Sequence, residues 1–190
     1  ISNSWVLYLH DDDVLISDEF NQLPIKMFSE NFDKGVAFIS FDYVFNVDGK
    51  DKNSKSLSIS KKYSGVERVI KDCPKFVSTV INAKKLKEIG AWDADAGYFL
   101  DLMSFIKLAK SSPVLYVDTT IGKYYIHKDN FSAVERRDKG YGNQVPYLFQ
   151  KVFLELNASE RATLLELTSS FVYPKQKNLI CRVFNKFLGC

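Results

Sequence analysis

The chain has 190 residues, of which 46% are hydrophobic, and its formal net charge is +3. This length suits one domain, and the apolar share excludes a chain that is disordered over most of its length. The small charge excludes a strongly basic nucleic-acid-binding protein, so we expect no nucleic-acid partner. Three cysteines without a CxxC spacing disfavour a disulfide framework and predict a reducing compartment. No apolar run approaches the roughly 20 residues that a membrane-spanning helix needs.

The N-terminal segment predicts a strand and a helix. The apolar run WVLYL, Trp5–Leu9, is typical of a central strand that is covered on both faces. A helix is expected to begin at Ser17 or Asp18, with Pro24 in its first turns. Its buried face is predicted to contain Phe20, Leu23 and Met27.

The next segment predicts two further strands. Gly35–Asn46 is rich in Val, Phe, Ile and Tyr and indicates a strand, and Asp48-Gly49 is a hairpin-type turn signal that opens a polar surface loop. The capping box Ser64–Glu67 predicts a short helix through Ile70. Phe76–Ile81 predicts another strand.

Two helices and two short strands are expected beyond this point. Asn82 is predicted to cap a helix that ends at Ile89, before the C-cap glycine Gly90. Tyr98–Ser111 predicts the clearest helix, whose apolar stripe contains Tyr98, Leu102, Phe105 and Ala109. VLYVD and KYYIH predict two separate strands. Strands interleaved with helices indicate an α/β fold.

The C-terminal tail has its own pattern. A helix is predicted over residues 158–173, Pro174 interrupts it, and KNLICRVFNKFLGC is a basic amphipathic segment. This segment either packs on its own domain or docks on an anionic membrane surface. We therefore expect a domain over residues 1–157 and a helical tail over residues 158–190. The predicted location is cytoplasmic, at the inner face of the membrane if the tail binds lipid.

Three consecutive aspartates, Asp11, Asp12 and Asp13, follow the first strand directly. Open α/β sheets bind ligands in loops that leave the carboxyl ends of strands, and carboxylates there suit Mg²⁺ or Mn²⁺. Alternation along an extended chain would direct Asp11 and Asp13 to one side and Asp12 to the other. The alternative is a solvated loop in which one aspartate caps the turn.

Four other residues are candidates for chemistry. Asp101 suits the helix N-terminus electrostatically, but its position beside the apolar stripe also suits a partly desolvated general base. His127, at the end of KYYIH, is either a phosphate or metal ligand or an ordinary surface residue. His10 is expected only to space the loop. Trp92, in the turn GAWDAD, is either a core residue or a platform for a sugar or base.

The order of these motifs resembles the family 2 glycosyltransferases of the GT-A fold. LHDDDVL looks like the aspartate-x-aspartate signature of that family, and IGAWDADAGYFLDL looks like the segment in which iGgfde leads to an acidic pair. YYIH follows in the expected order. The resemblance extends from Trp5 to Ser132.

On the donor side, the resemblance implies a nucleotide-sugar whose diphosphate is bridged by Mn²⁺ or Mg²⁺. Asp13 would be the main metal ligand, and Asp11 would share the metal or contact the donor ribose. Asp12 and His127 belong to the implied donor-binding set, with His127 near the diphosphate.

On the acceptor side, the resemblance implies that Asp101 is the general base of an inverting transfer, with Trp92 and Asp93 lining the acceptor site. The family's acidic pair is usually Glu-Asp, whereas this chain has Leu100 and Asp101. The family's first strand and its nucleotide-recognising Asp-Asp-Gly-Ser segment have no counterpart before the aspartates. We therefore expect an N-terminally truncated, GT-A-like mixed sheet that is flanked by helices and lacks the nucleotide-binding half.

The predicted function is metal-dependent, inverting transfer of a sugar from a nucleotide-sugar donor to a glycan or lipid-linked acceptor. The full-length parent would carry this activity, and the isolated chain would have little or none. The alternative is a non-catalytic carbohydrate-binding or degenerate transferase module, which agrees with Leu100. A phosphatase of the haloacid dehalogenase type is disfavoured because Leu15 stands where its pattern has Thr or Val.

Overall fold

The structure is a computed structural model and describes residues 4–47, 49–53, 65–127 and 140–172. These residues form an α/β fold around one mixed sheet. The strands are β1 (Trp5–Leu7), β2 (Val14–Leu15), β3 (Phe38–Val47), β4 (Lys50–Asn53), β5 (Thr79–Asn82) and β6 (Val114–Ile126). The helices are α1 (Ser17–Asn21), α2 (Ile25–Asp33), α3 (Gly65–Lys71), α4 (Ala83–Glu88), α5 (Leu100–Ser111), α6 (Gly140–Val152) and α7 (Ala158–Val172). Short 3₁₀ turns lie at Phe76–Ser78, Ala94–Phe99 and Phe153–Glu155.

The strand order is β1-β5-β3-β6-β2, and β4 pairs with β3. β3 is parallel to β6 and antiparallel to β4 and β5, while β1 and β2 pair antiparallel with β5 and β6. The two consecutive strands β1 and β2 thus lie at opposite ends of this order. The connecting residues 8–13, which include the aspartates, therefore cross from one side of the sheet to the other.

Apolar side chains on both faces of the sheet form two core clusters. Phe38 of β3 belongs to the main cluster, which it shares with buried residues of α3, α5, α6 and α7. Its neighbours Ile39 and Phe41 belong to a second cluster, against which Phe20 of α1 and Met27 of α2 pack. Because successive side chains of a strand point to opposite faces, β3 requires the nearly continuous apolar sequence that predicted it.

Several predicted elements are confirmed. Asn82 caps α4, since its side chain accepts hydrogen bonds from the backbone N–H groups of Lys84 and Lys85. Gly90 follows the helix with a φ of 89°, as expected for a C-cap glycine. Val47 pairs with Lys50, which confirms the hairpin after β3. The predicted helices around α3, α5 and α7 are present, and Leu164 of α7 lies in the main core cluster.

Other predictions at the element level are wrong. Pro24 is the N-cap of α2 and separates it from α1, so two helices replace the expected one. Ile16, rather than Ser17 or Asp18, occupies the N-cap position of α1. A 3₁₀ turn replaces the first half of the strand expected at Phe76–Ile81. The apolar run at Phe76–Ile81 indicates burial, but a buried tight turn and a buried strand can have the same hydrophobic composition.

The ends of the sheet also differ from expectation. The prediction of a central strand over Trp5–Leu9 is wrong. β1 lies at one end of the strand order and ends at Leu7, and the side chain of Leu9 is 48% exposed. VLYVD and KYYIH are parts of the single strand β6. Part of the expected polar loop after Gly49 is strand β4. The sequence interpretation had no counterpart for α6.

Some predictions fall outside the described residues. They concern Asp48, Ser64 and the segment beyond α7, which contains Pro174 and the basic amphipathic sequence. Among the described residues, no helix combines the length and the apolar character that crossing a membrane requires.

Candidate functional site

The three aspartates lie in a tight turn rather than in an extended segment. The backbone N–H of Asp13 donates a hydrogen bond to the carbonyl of His10 at 3.2 Å, which closes the turn. Asp11 is exposed, whereas Asp12 and Asp13 are partly buried. In such a turn, alternation along an extended chain does not set the directions of the side chains, so a shared side for Asp11 and Asp13 stays a prediction. We call residues 10–13 the aspartate turn.

The aspartate turn is held against the C-terminal end of β6. Oδ1 of Asp13 accepts a hydrogen bond from the backbone N–H of Tyr125 at 3.4 Å. Oδ2 of Asp12 lies 2.9 Å from Nε2 of His127, the residue directly after β6. Two residues that the resemblance assigned to donor binding, Asp12 and His127, are thus in contact although they are 115 positions apart.

The protonation of Asp13 depends on its surroundings. Burial raises its pKa to about 6, and the neighbouring charge of Asp12 acts in the same direction. The hydrogen bond from Tyr125 opposes this effect. Burial and like charge both disfavour the ionised form, and a cation close to the carboxylate would favour it.

The donor chemistry of the aspartate turn suits a hard cation. Within the described parts of the chain, no three His, Cys, Asp or Glu side chains come together as a metal-binding group. Mg²⁺ is commonly held by one or two carboxylates together with substrate phosphates, and it favours oxygen ligands. Asp11 and Asp13 offer carboxylates of this type, and their binding of an ion together with a phosphate ligand stays a prediction.

Asp101 lies in the first turn of α5 and is partly buried. Its Oδ1 accepts a hydrogen bond from the backbone N–H of Leu102 at 2.7 Å. The Cys73 thiol lies beside it, where burial and the carboxylate of Asp101 raise the pKa of the thiol well above its usual value. Cys73 therefore keeps its proton at neutral pH.

A series of contacts leads from the aspartate turn to Asp101. Tyr125 binds Asp13 through its backbone, and the ring centre of the preceding residue, Tyr124, is 5.9 Å from Nζ of Lys75. Lys75 in turn lies close enough to Asp101 for their charges to interact. In the described residues, Asp13 and Asp101 are thus linked through Tyr124, Tyr125 and Lys75 rather than by a direct contact.

The two predicted acceptor residues have structural partners. Trp92 packs edge-on against Tyr8 and Phe76, with both ring-centre distances at 5.3 Å. Asp93 caps the 3₁₀ turn that follows it, and both of its carboxylate oxygens lie 2.9 Å from the hydroxyl of Tyr147, which shares its one proton between them. These contacts join the GAWDAD turn to the core and to α6. The acceptor role of both residues stays a prediction.

Sequence reasoning missed the residues that connect these parts. Phe76 stacks on His10 of the aspartate turn at 5.6 Å and also touches Tyr8 and Trp92. We call Tyr8, His10, Phe76 and Trp92 the Phe76 cluster. Neither Phe76 nor Lys75 stands in a recognisable motif, and their importance comes only from contacts between distant parts of the chain.

Comparison with known protein families and with curated proteins gives no match to this chain. The geometry of the aspartate turn and of Asp101 is therefore the basis for a functional proposal.

Proposed function

We propose that this chain carries the acidic centre of a metal-dependent, inverting glycosyltransferase of family 2 with the GT-A fold. The reaction would move a sugar from a nucleotide-sugar donor to a glycan or lipid-linked acceptor. The observation that carries the proposal is the contact between Asp12 and His127, because the resemblance assigned both to the donor site. The parallel pairing of β3 with β6, which ends beside this contact, agrees with ligand binding at the carboxyl ends of strands.

Each acidic residue has a distinct task in this mechanism. Asp13 and Asp11 would hold Mn²⁺ or Mg²⁺, and the bound ion would stabilise negative charge on the departing diphosphate. Asp101 would accept the proton of the acceptor hydroxyl while that oxygen bonds to the anomeric carbon. The bond between the anomeric carbon and the diphosphate oxygen breaks in the same step, and its electron pair stays with the diphosphate. His127, held by Asp12, would orient the donor.

Binding and transfer assays with two variants test this proposal. By isothermal titration calorimetry of the full-length parent with UDP-sugars, donor binding should require Mn²⁺, and Asp13→Asn should weaken it about tenfold or more because a charged ligand is lost. Asp101→Asn should retain metal-dependent binding but lower the rate of transfer by about 100-fold or more, since the general base is removed. Transfer is measured in the longest form of the protein that is active.

The matched control is Asp18→Asn, which removes an exposed aspartate of α1 outside the aspartate turn. It should leave donor binding unchanged. Donor binding that is unaffected by Asp13→Asn would contradict the proposal. Sugar binding that needs neither metal nor nucleotide would favour a carbohydrate-binding module.

A further inference from the structure

Lys75 directly precedes Phe76, which stacks on His10 of the aspartate turn. Lys75 is the N-cap residue of the 3₁₀ turn Phe76–Ser78, which packs against β1, β2 and β6. The backbone of Lys75 is also fixed, because its carbonyl accepts a hydrogen bond from the N–H of Ser78 at 3.0 Å. The position of this lysine is therefore set by the same contacts that set the aspartate turn.

The ammonium group of Lys75 makes neither an ion pair nor a hydrogen bond with any described residue, and it lies 5.9 Å from the ring centre of Tyr124. Other cations of this region are already engaged. Lys123 bonds Asp51 at 2.7 Å, and Lys151 lies 3.7 Å from Asp93. Arg68 is only 8% exposed and stacks on the ring of Tyr116, so it is not accessible to a ligand.

Lys75 keeps its positive charge in this position. Burial by itself would lower its pKa, but the neighbouring groups, Cys73 first and then Asp101, outweigh burial and raise the pKa above its usual value. The protein as a whole therefore favours the charged form of Lys75. Because the N–H groups of this ammonium have no acceptor among the described residues, they can donate hydrogen bonds to an anionic ligand bound beside Lys75.

We propose that the ammonium group of Lys75 binds the diphosphate of the donor, beside the ring of Tyr124. This inference rests on the proposed function and adds a specific residue to it. When the bond between the anomeric carbon and the diphosphate oxygen breaks, the electron pair stays on that oxygen, and Lys75 donates a hydrogen bond to the diphosphate without transferring its proton. The acceptor proton goes to Asp101, so the step balances.

Binding of inorganic pyrophosphate to the 190-residue chain tests this role directly. Pyrophosphate has no base, ribose or sugar, so its binding does not depend on a nucleotide pocket. In calorimetric titrations with and without Mn²⁺, Lys75→Met should weaken pyrophosphate binding about 10- to 100-fold, the range expected for the loss of a charged hydrogen bond. Lys75→Arg keeps the charge and should restore most of the affinity. Lys84→Met removes an exposed lysine of α4 and should have no effect.

The outcomes separate this inference from the proposed function. The inference is wrong if Lys75→Met binds pyrophosphate as well as the wild-type chain does. It is also wrong if the wild-type chain does not bind pyrophosphate. Neither result contradicts metal-dependent sugar transfer. Binding of glucuronate in place of pyrophosphate would show a carboxylate site and also overturn it. Thermal unfolding of each variant checks folding. If Lys75→Met is unfolded, restored binding in Lys75→Arg still supports the role, and lost binding in folded Lys75→Arg overturns it.

Discussion

At the residue scale, Gly97 has a conformation that other residues rarely adopt. Its φ is 52°, and it lies in the 3₁₀ turn just before α5, which carries Asp101. A Cβ atom placed on it would lie 2.6 Å from Oε1 of Gln144, the oxygen that accepts a hydrogen bond from the N–H of Tyr98. The backbone conformation therefore favours glycine here, and an added Cβ would also displace the Gln144 side chain.

Gly97→Ala should lower the free energy of unfolding by about 1 to 3 kcal/mol, because alanine is strained at positive φ and meets Gln144. Urea denaturation followed by circular dichroism measures the change. The control is Gly49→Ala, since Gly49 also has a positive φ of 79° but no atom within 4 Å of the added Cβ. Equal losses for the two variants would show that the contact with Gln144 has no energetic effect.

At the element scale, Asn82 joins β5 to α4 through both ends of its side chain. Oδ1 accepts hydrogen bonds from the N–H groups of Lys84 and Lys85, and Nδ2 donates to the carbonyl of Val36 at 3.1 Å. The side chain is only 1% exposed. One residue thus ends a strand, begins a helix and ties both to the segment before β3.

Asn82→Ala should lower the free energy of unfolding by about 2 kcal/mol or more, since it removes a helix cap and leaves the carbonyl of Val36 without its donor. Asn82→Ser is the matched control, because a serine keeps the capping oxygen but is too short to replace the bond to Val36. Asn82→Ser should lower the free energy of unfolding by less, about 1 kcal/mol. Chemical denaturation of both variants gives the comparison, and a stable Asn82→Ala protein would refute the role of the cap.

At the scale of the whole molecule, one aromatic side chain connects the sheet, the helices and the candidate site. Phe105 of α5 is fully buried and packs against Phe38 of β3, with ring centres 5.0 Å apart. It also packs against Phe76 at 5.8 Å. Through the Phe76 cluster, the main core therefore supports the aspartate turn, and through α5 it supports Asp101.

Phe105→Ala should destabilise the protein by about 3 to 5 kcal/mol, as expected when a buried aromatic ring leaves a cavity. Thermal unfolding monitored by differential scanning calorimetry measures this loss. Leu154→Ala, at a side chain that is 81% exposed, should change stability by no more than about 0.5 kcal/mol. A similar, small effect of both substitutions would contradict the central position of Phe105.

Local sequence signals predicted much of the fold because their causes are local. The cap at Asn82, the glycine after α4 and the apolar stripe of α5 each depend on residues within a few positions of one another. The errors occur where a distant contact decides the outcome. Pro24 separates α1 from α2, and the single strand β6 spans two predicted strands because β3 pairs along its whole length.

Some residues of the candidate site were also predictable from local sequence, and others depend on distant contacts. Asp13, Asp101 and His127 were selected from residue type and motif order, without any knowledge of their separation in space. Lys75 and Phe76 carry no such pattern, and the contact between Asp12 and His127 joins residues 115 positions apart. These contacts can be predicted only when the strand order is known, and local sequence patterns do not give that order.

The amino-acid sequence by itself determined the α/β class, the principal helices and the acidic residues that are candidates for chemistry, because periodicity, capping and side-chain type act over short distances. Only the tertiary structure decided that the aspartates form a turn against the end of β6 and that Lys75 lies near Tyr124, the residue before the partner of Asp13. The physical reason is that residues 8–13 cross the sheet between two strands at its opposite ends. That crossing depends on pairing between distant segments, which no local pattern encodes.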